Sequence, residues 1–216
     1  MFPDRQEAGR LLLEELRASD DEKSLVLALP RGGVLVAAEI AAGLGAELDV
    51  LIVRKLGAPG QPELAIGAIV DGSRPHAIFN DRLLGALHVT QDYIEHEIHA
   101  QTAEIQRRQE TYRGGRANPV IQARRVIVVD DGIATGATVR AALQALRRQK
   151  PARLILAVPV APREAISNLS AEADEIVCLE TPDDFQAVGQ FYGDFHAVED
   201  DEVIDALQEA WTRDQD

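Results

Sequence analysis

The sequence predicts an α/β fold of three layers, with helices on both faces of a mostly parallel sheet of about six strands. The first observation behind this prediction is a repeated order of a short apolar run followed by a helical segment, which is typical of a parallel sheet with crossover helices. The second is that these runs are apolar throughout, as in strands buried on both faces. The length of 216 residues suits one domain, expected over 1–216.

Five buried strands follow from the apolar runs, and helices lie between them. The strands are predicted at 24–29, 48–53, 125–129, 154–158 and 176–179. The helices are predicted at 4–17, 34–44, 137–148, 163–171 and 201–213. Pro3 and Asp4 suit the start of the first helix.

The region after the second strand departs from this order. Residues 56–63 hold two glycines and two prolines, which predicts a loop. Residues 64–70 and 76–80 are predicted strands joined by a turn at Asp71-Gly72-Ser73. The first of these strands is expected to run antiparallel to the others.

Two further segments lie outside the repeated pattern. Residues 81–115 are polar and helical, so 71–120 is interpreted as a helical insertion. Residues 181–216 are interpreted as a small terminal hood followed by a C-terminal helix.

Composition and charge exclude several classes of protein. The net charge is −14, and the stretch from Glu172 to Asp216 holds 15 acidic residues and one basic residue. Nucleic acid is not an expected partner, because binding it requires a dense basic surface. No apolar run reaches the roughly 18 residues that span a membrane. Cys178 is the only cysteine, and the first residues lack a secretory pattern, so a cytoplasmic location is expected.

The segment 126–138 carries the clearest chemistry. A buried strand ends in two adjacent carboxylates, Asp130 and Asp131, which accept hydrogen bonds of the kind that vicinal sugar hydroxyls donate. Thr135, Gly136 and Thr138 follow where a helix begins. A helix start presents free N–H groups and a partial positive charge to an anion. Together these features predict a site for a ribose 5-phosphate.

The run VIVVDDGIATGAT at 126–138 resembles the signature of the type I phosphoribosyltransferases, which combine an apolar strand, two acids and TGxT. The resemblance implies a phosphoribosyltransferase-like fold and the donor 5-phosphoribosyl 1-pyrophosphate (PRPP). It implies that Asp130 and Asp131 hold the ribose hydroxyls. The 5-phosphate would be held by Gly132, Ile133, Ala134, Thr135, Gly136, Ala137 and Thr138.

Two other loops resemble parts of the same family. Arg31, Gly32 and Gly33 are similar to the pyrophosphate loop, which often carries a non-proline cis peptide; the alternative is a tight turn with a surface arginine. Arg54 and Lys55, before the Gly/Pro-rich segment, resemble the start of the flexible loop that covers the reacting atoms. The alternative for this pair is a solvated basic surface.

The resemblance also implies a mechanism. Pyrophosphate leaves C1 of the ribose, and Asp130 and Asp131 stabilise the positive charge that builds on the ring. Arg54 and Lys55 would neutralise the leaving group together with Mg²⁺ bound to the pyrophosphate. Because Mg²⁺ takes most of its ligands from substrate oxygens and water, no direct protein ligand is expected.

The acceptor is not fixed by the sequence. Family members that act on 6-oxopurines usually carry an aspartate where this chain has Ala134, which counts against hypoxanthine, guanine and xanthine and leaves adenine or orotate open. Phe191, Tyr192 and Phe195 are candidate hood residues that stack on a flat base; the alternative is a hydrophobic cluster that anchors the tail.

Two functions from different classes therefore stay open. One is a transferase that passes the phosphoribosyl group to a small-molecule acceptor, and the other is a PRPP-binding regulator or sensor without transfer. A third, weaker interpretation is a hydrolase that releases pyrophosphate from PRPP-like compounds. Six arginines between 107 and 125 suit a lid, a subunit contact of a homodimer, or a solvated helix end.

Overall fold

The computed structural model describes residues 1–17, 24–72 and 76–213, apart from the side chain of residue 63. Ser73, in the predicted turn, lies outside the described residues. The helices are α1 (Arg5–Arg17), α2 (Gly32–Leu44), α3 (Asp81–Ala86), α4 (Gln91–Arg113), α5 (Ala137–Arg148), α6 (Arg163–Leu169) and α7 (Asp200–Arg213). A short 3₁₀ turn covers Val188–Phe191. No helix of the described residues is long and apolar enough to cross a membrane.

The main sheet has five parallel strands in the order β2-β1-β6-β7-β8. Their bounds are β1 Ser24–Ala28, β2 Glu47–Val50, β6 Arg125–Val129, β7 Arg153–Val160 and β8 Glu175–Glu180. From β1 the chain adds β2 on one side, and from β6 it adds β7 and β8 on the other. The strand order therefore reverses between β1 and β6, and ligands of open α/β sheets bind at such a switch point.

Apolar side chains cover the main sheet on both faces, which confirms the predicted three layers. Along β6, Ile127 and Val129 pack with residues of α1, α2 and α7. Val126 and Val128 point the other way and pack with residues of α5 and α6. Because side chains alternate along a strand, β6 contributes to the core on each face of the sheet. β6 is also the central strand of the five, so its end lies at the middle of the sheet edge.

The antiparallel part of the fold is larger than the sequence predicted. The expected antiparallel strand is β4 (Gln61–Val70), but it lies in a separate sheet with β3 (Val53–Ala58) and β5 (His76–Phe79), in the order β3-β4-β5. The predicted strand at 48–53 is divided, since β2 ends at Val50 and β3 begins at Val53. The chain leaves the parallel sheet at this point and turns into the second one.

The predicted loop at 56–63 is a β-hairpin instead. β3 and β4 pair across a tight turn at Pro59 and Gly60, and Gly60 has a φ of +69°. The pairing shifts register around Gly57, where a Cβ would lie 2.9 Å from the backbone of Pro62. Glycine and proline, which indicated a loop by composition, here form the turn and the bulge of a hairpin.

The helical segment after β5 ends in a buried ion cluster. Arg113, the last residue of α4, places Nε 2.8 Å from Oδ1 of Asp49 and Nη1 3.0 Å from Oδ2 of Asp71. All three side chains are buried. One guanidinium thus joins α4 to β2 and to the end of β4, and it compensates two buried carboxylates.

Candidate active site

The loops that follow β1 and β6 meet at the switch point of the main sheet. The peptide between Pro30 and Arg31 is cis, as the resemblance implied. A Cβ built on Gly32 would overlap the carboxylate of Asp131, and one on Gly33 would lie 2.9 Å from the carbonyl oxygen of Val129. Only glycines allow the two loops to approach this closely.

Asp130 lies at the end of β6, half-buried in this crevice. Its Oδ1 accepts a hydrogen bond of 2.9 Å from the backbone N–H of Asp131. Burial raises the pKa of Asp130 well above its usual range, and the neighbouring charge of Asp131 adds to the shift, whereas the charge of Arg5 opposes it. A carboxylate held in this way is the type of group that marks functional sites.

Asp131 is ion-paired to a residue that the sequence analysis missed. Nε of Arg5, in the first turn of α1, lies 2.8 Å from its Oδ2. The Arg5 side chain is only 5% exposed. A signal was present in the sequence, because Arg5 precedes Ala8, Gly9 and Leu12 by three, four and seven residues and so lies on the buried face of the helix.

The start of α5 has the open geometry expected of an anion site. Gly136 precedes the helix with a φ of +77°, a conformation that favours glycine. Thr135, Ala137 and Thr138 are exposed beside it. The first N–H groups of a helix have no partner within the helix, so those at the start of α5 are available to an anion.

Two further residues of the predicted phosphate segment pack against neighbouring parts of the chain. Ile133 is buried, and its N–H donates 2.9 Å to the carbonyl of Val160 at the end of β7. A Cβ on Gly132 would overlap the side chain of Val188. Ala134 is exposed.

Arg31 is paired with the acidic first turn of α7. Its Nη1 lies 3.3 Å from Oε2 of Glu199 and 3.9 Å from Oδ1 of Asp200. The hydroxyl of Tyr112, near the end of α4, donates a hydrogen bond of 2.7 Å to the same oxygen of Asp200. Helix α4 is therefore connected to the predicted pyrophosphate loop through α7.

Arg54 and Lys55, which resemble the start of a flexible loop, lie in β3 of the hairpin. Nε of Arg54 donates 2.9 Å to Oε1 of Gln101, so its guanidinium is bonded to α4. Lys55 is exposed and lines a cavity of about 380 Å³ that also contains Thr138. Lys55 is thus brought to the start of α5, whereas Arg54 is held on α4.

Of the three predicted hood aromatics, Tyr192 and Phe195 contact each other and residues of the site. Tyr192 is 5% exposed, and its hydroxyl donates 2.6 Å to the carbonyl of Asp131. Burial raises the pKa of Tyr192, as does the charge of Asp131. The ring of Phe195 lies 5.0 Å from that of Tyr192, and the guanidinium carbon of Arg5 lies 4.0 Å above it. Phe191 stacks on Phe185.

Among the described residues, no group of three or more His, Cys, Asp or Glu side chains is arranged to hold a metal ion.

The fold and the crevice place the chain among the α/β domains whose ligand site lies at the switch point of a parallel sheet. The family model of the phosphoribosyl transferase domain matches residues 4–196. The chain therefore belongs to the phosphoribosyltransferase family, whose members are glycosyltransferases.

Two relatives cover most of this chain. A Mycobacterium tuberculosis H37Rv protein, provisionally named a phosphoribosyl transferase, is 46% identical over 211 residues, which make up 97% of this chain and 47% of that protein. The chain thus spans about half the length of the curated relatives it matches. The crystal structure of TT1426 from Thermus thermophilus is 45% identical, with a TM-score of 0.85 over 96% of this chain and 98% of that one.

A more distant likeness concerns the fold alone. A hypothetical protein from Neisseria gonorrhoeae, solved with bound ppGpp, is 15% identical and has a TM-score of 0.52 over 95% of this chain and 92% of that chain.

Proposed function

We propose that this domain transfers the 5-phosphoribosyl group of PRPP to a small-molecule acceptor and releases pyrophosphate. The observation that carries the proposal is the placement of Asp130 and Asp131 beside the open start of α5, in the crevice where the strand order reverses. Membership of the phosphoribosyltransferase family supports it.

The donor would be bound at three points. The carboxylates of Asp130 and Asp131 would accept hydrogen bonds from the 2′- and 3′-hydroxyls. The 5-phosphate would accept hydrogen bonds from N–H groups at the start of α5 and from the hydroxyls of Thr135 and Thr138. The backbone of Gly32 and Gly33 lies against the two carboxylates, which suits a role in holding the pyrophosphate next to C1.

The chemistry follows from where charge develops. The bond between C1 and the pyrophosphate oxygen breaks, and its electron pair leaves with the pyrophosphate. The acceptor supplies the electron pair of the new bond on the opposite face of C1 and loses its proton to solvent or a base. Asp130 and Asp131 stabilise the positive charge on the ring without a covalent intermediate. Arg31 and Lys55 would offset the negative charge of the departing pyrophosphate.

A magnesium ion fits this site when it is bound to the pyrophosphate of the donor. Two half-buried carboxylates beside a glycine turn are a suitable setting for a pyrophosphate complex, and Mg²⁺ keeps most of its ligands from phosphate oxygens and water. When bound in this way, Mg²⁺ would neutralise the leaving group.

The acceptor is proposed to be other than a 6-oxopurine. Ala134 is exposed at the position where enzymes for those bases carry an aspartate, so this residue offers no acid or base to the purine. Tyr192 is buried, and Arg5 covers one face of Phe195. Aromatic stacking in the hood is thus taken up largely by contacts within the protein, and adenine, orotate or a different nucleophile remains as the acceptor.

A PRPP-binding regulator is the second candidate, and one observation favours it. Two of the cations assigned to the pyrophosphate are bonded within the protein, Arg31 to Glu199 and Arg54 to Gln101. A site that binds PRPP without managing the leaving group needs neither of them free.

The test is pyrophosphate release from Mg²⁺–PRPP with a panel of bases and other nucleophiles, together with calorimetry of donor binding. The Asp130→Asn/Asp131→Asn variant is expected to lose binding and turnover. The matched control is Asp183→Asn/Asp184→Asn, which makes the same change at an exposed aspartate pair. Release with one acceptor establishes the transferase, and tight binding without release establishes the regulator. Absence of donor binding contradicts both.

A further inference from the structure

We infer that Arg5 is a positioning residue of the donor site, which fixes the carboxylate of Asp131 and offsets one of two adjacent negative charges. The inference rests on the function proposed above. It assigns a role to α1, an element outside all three loops of the predicted site.

The guanidinium of Arg5 is held on three sides. Its Nε donates 2.8 Å to Oδ2 of Asp131, and its Nη1 donates 3.0 Å to the carbonyl oxygen of His196. The ring of Phe195 lies 4.0 Å from its central carbon. A buried arginine fixed by an ion pair, a carbonyl and an aromatic face has one orientation, so it also fixes the carboxylate that it contacts.

This ion pair lies at the contact between the two loops of the site. A Cβ on Gly32 would overlap Oδ2 of Asp131 and would lie 3.0 Å from Nε of Arg5. Arg5 therefore orients Asp131 at the place where the loop after β6, which carries Asp130 and Asp131, meets the glycine turn after β1. Oδ2 is bonded to Arg5, and Oδ1 is left to receive a ribose hydroxyl.

The charges around the pair explain why a cation is needed. Asp130 and Asp131 are consecutive, and ionising both in a half-buried crevice is unfavourable. Burial and the charge of Asp131 raise the pKa of Asp130, and the charge of Arg5 lowers it. Removing Arg5 should therefore raise the pKa of Asp130 further, so that the ionised form that accepts hydroxyl hydrogen bonds requires a higher pH.

The other titratable groups near the pair lie further from the carboxylates. The hydroxyl of Tyr192 is bonded to the carbonyl of Asp131 and not to its side chain. The His196 ring lies between Asp194 and Glu202, at 3.1 and 2.9 Å, in an exposed cluster. Arg31, on the glycine turn, is paired with Glu199 and Asp200. Arg5 is the cation in direct contact with Asp131 among the described ion pairs.

The N-terminal segment has other anchors, so Arg5 is not needed to hold it. The N–H of Phe2 donates 2.7 Å to the carbonyl of Phe191, and the N–H of Gly193 donates 2.8 Å to the carbonyl of Phe2. Leu12 and Leu16 of α1 are fully buried in the core. A variant without the guanidinium is therefore expected to fold.

The experiment measures the dissociation constant of Mg²⁺–PRPP by calorimetry from about pH 5 to about pH 9. The proteins are wild type, Arg5→Gln, Arg5→Lys and the control Arg10→Gln, which removes an exposed arginine of the same helix that pairs with Glu7 and Glu39. The phosphates of the donor titrate in this range too, but they do so equally in every variant. The differences between profiles therefore report on the protein.

We expect Arg5→Gln to weaken donor binding at neutral pH by on the order of tenfold, the effect of a displacement of about one pH unit. The loss of affinity on the acid side of its pH profile, the acid limb, should occur at higher pH than in wild type. Arg5→Lys and Arg10→Gln should keep the acid limb of wild type. A merely structural role would lower the melting temperature and leave the limb in place. A superimposable limb in folded Arg5→Gln overturns the inference, as does an equal displacement in Arg5→Lys.

If Arg5→Gln shows no cooperative unfolding, it is not folded and its pH profile cannot be compared with that of wild type. Phe195→Leu then provides the test. It removes the aromatic face from Arg5 at a position that is 37% exposed, and a smaller displacement in the same direction is expected. An unmoved limb in Phe195→Leu then overturns the inference. Wild-type protein that binds no donor at any pH contradicts the proposed function itself, which is a separate result.

Discussion

The hydroxyl of Tyr192 donates a hydrogen bond of 2.6 Å to the backbone carbonyl of Asp131, although 61 residues separate the two in sequence. The sequence leaves two roles open for Tyr192, stacking on the acceptor or anchoring the tail in a hydrophobic cluster. In the structure its hydroxyl holds the main chain of the proposed ribose loop. Tyr192, in the predicted hood, thus contributes to the shape of the proposed donor site.

Replacement of Tyr192 by phenylalanine is the first prediction. It leaves a half-buried carbonyl without this partner, so the free energy of unfolding should fall by about 1 kcal/mol. Binding of ribose 5-phosphate should weaken with it, because the loop that carries Asp131 loses a support. Urea denaturation and calorimetry measure the two effects.

Tyr93→Phe provides the comparison. It removes a hydrogen bond of 3.0 Å to the carbonyl of Gly57 in the hairpin, so a similar stability loss with unchanged ribose 5-phosphate affinity is expected. Equal affinities in both variants would count against a role of Tyr192 in shaping the site.

A second prediction concerns Gly32. In Gly32→Ala the added methyl group would overlap the carboxylate of Asp131, so the two loops must separate and donor affinity should fall by at least about tenfold. Gly85→Ala in α3 is the control, because a Cβ there meets nothing within 4 Å. Unchanged donor binding in Gly32→Ala would show that the contact between the loops is not part of the site.

A third prediction concerns the competition for Arg31. Glu199→Gln removes the nearer of its two acidic partners, which leaves the guanidinium more available to pyrophosphate. Because exposed ion pairs contribute up to about 1 kcal/mol, the dissociation constant of pyrophosphate should fall about two- to fivefold. Glu209→Gln makes the same change on an exposed part of α7 and should have no effect. Weaker pyrophosphate binding in Glu199→Gln would exclude this competition.

A fourth prediction follows from the ion cluster at Arg113. Burial raises the pKa of Asp71 to about 6, more than the charge of Arg113 lowers it. The pKa of Arg113 is raised as well, because two carboxylates outweigh its own burial. The two pKa shifts are compatible because Arg113 is shared between Asp49 and Asp71: each carboxylate has only part of one cation, whereas the cation has two carboxylates.

The sign of the pH effect follows from the raised pKa. Between about pH 4, the unfolded pKa of an aspartate, and about pH 6 the folded chain binds more protons at Asp71 than the unfolded chain does. The contribution of this residue to stability is therefore present at low pH and is lost as the pH rises through about 6, by on the order of 3 kcal/mol.

Denaturation of wild type and Asp71→Asn across this range tests the effect. The stability of wild type relative to Asp71→Asn should fall as the pH rises. Asp183→Asn, at a highly exposed position, should show no such trend relative to wild type. A relative stability of wild type that rises with pH would show that Arg113 outweighs burial at Asp71.

The sequence predicted the main sheet well because its evidence is local. The bounds of β6 and α5 agree with the apolar run at 125–129 and the helical spacing at 137–148. The contact between Gly32 and Asp131 has the same origin, because the carboxyl ends of adjacent parallel strands share an edge of the sheet.

The features that were missed depend on partners far away in sequence. The glycines and prolines of residues 56–63 predict a loop, but pairing with β4 makes the segment a hairpin. The contact of Arg5 with Asp131 joins residues 126 positions apart. Such a long-range contact cannot be inferred from one sequence. A charged residue on the buried face of a helix was the one local signal of it.

The most direct test of the central claim is a crystal structure of the chain with ribose 5-phosphate. We predict the phosphate at the backbone N–H groups of 135–138 and the vicinal hydroxyls on the carboxylates of Asp130 and Asp131. A sugar phosphate bound elsewhere, with the crevice between β1 and β6 empty at saturating ligand, would contradict the account.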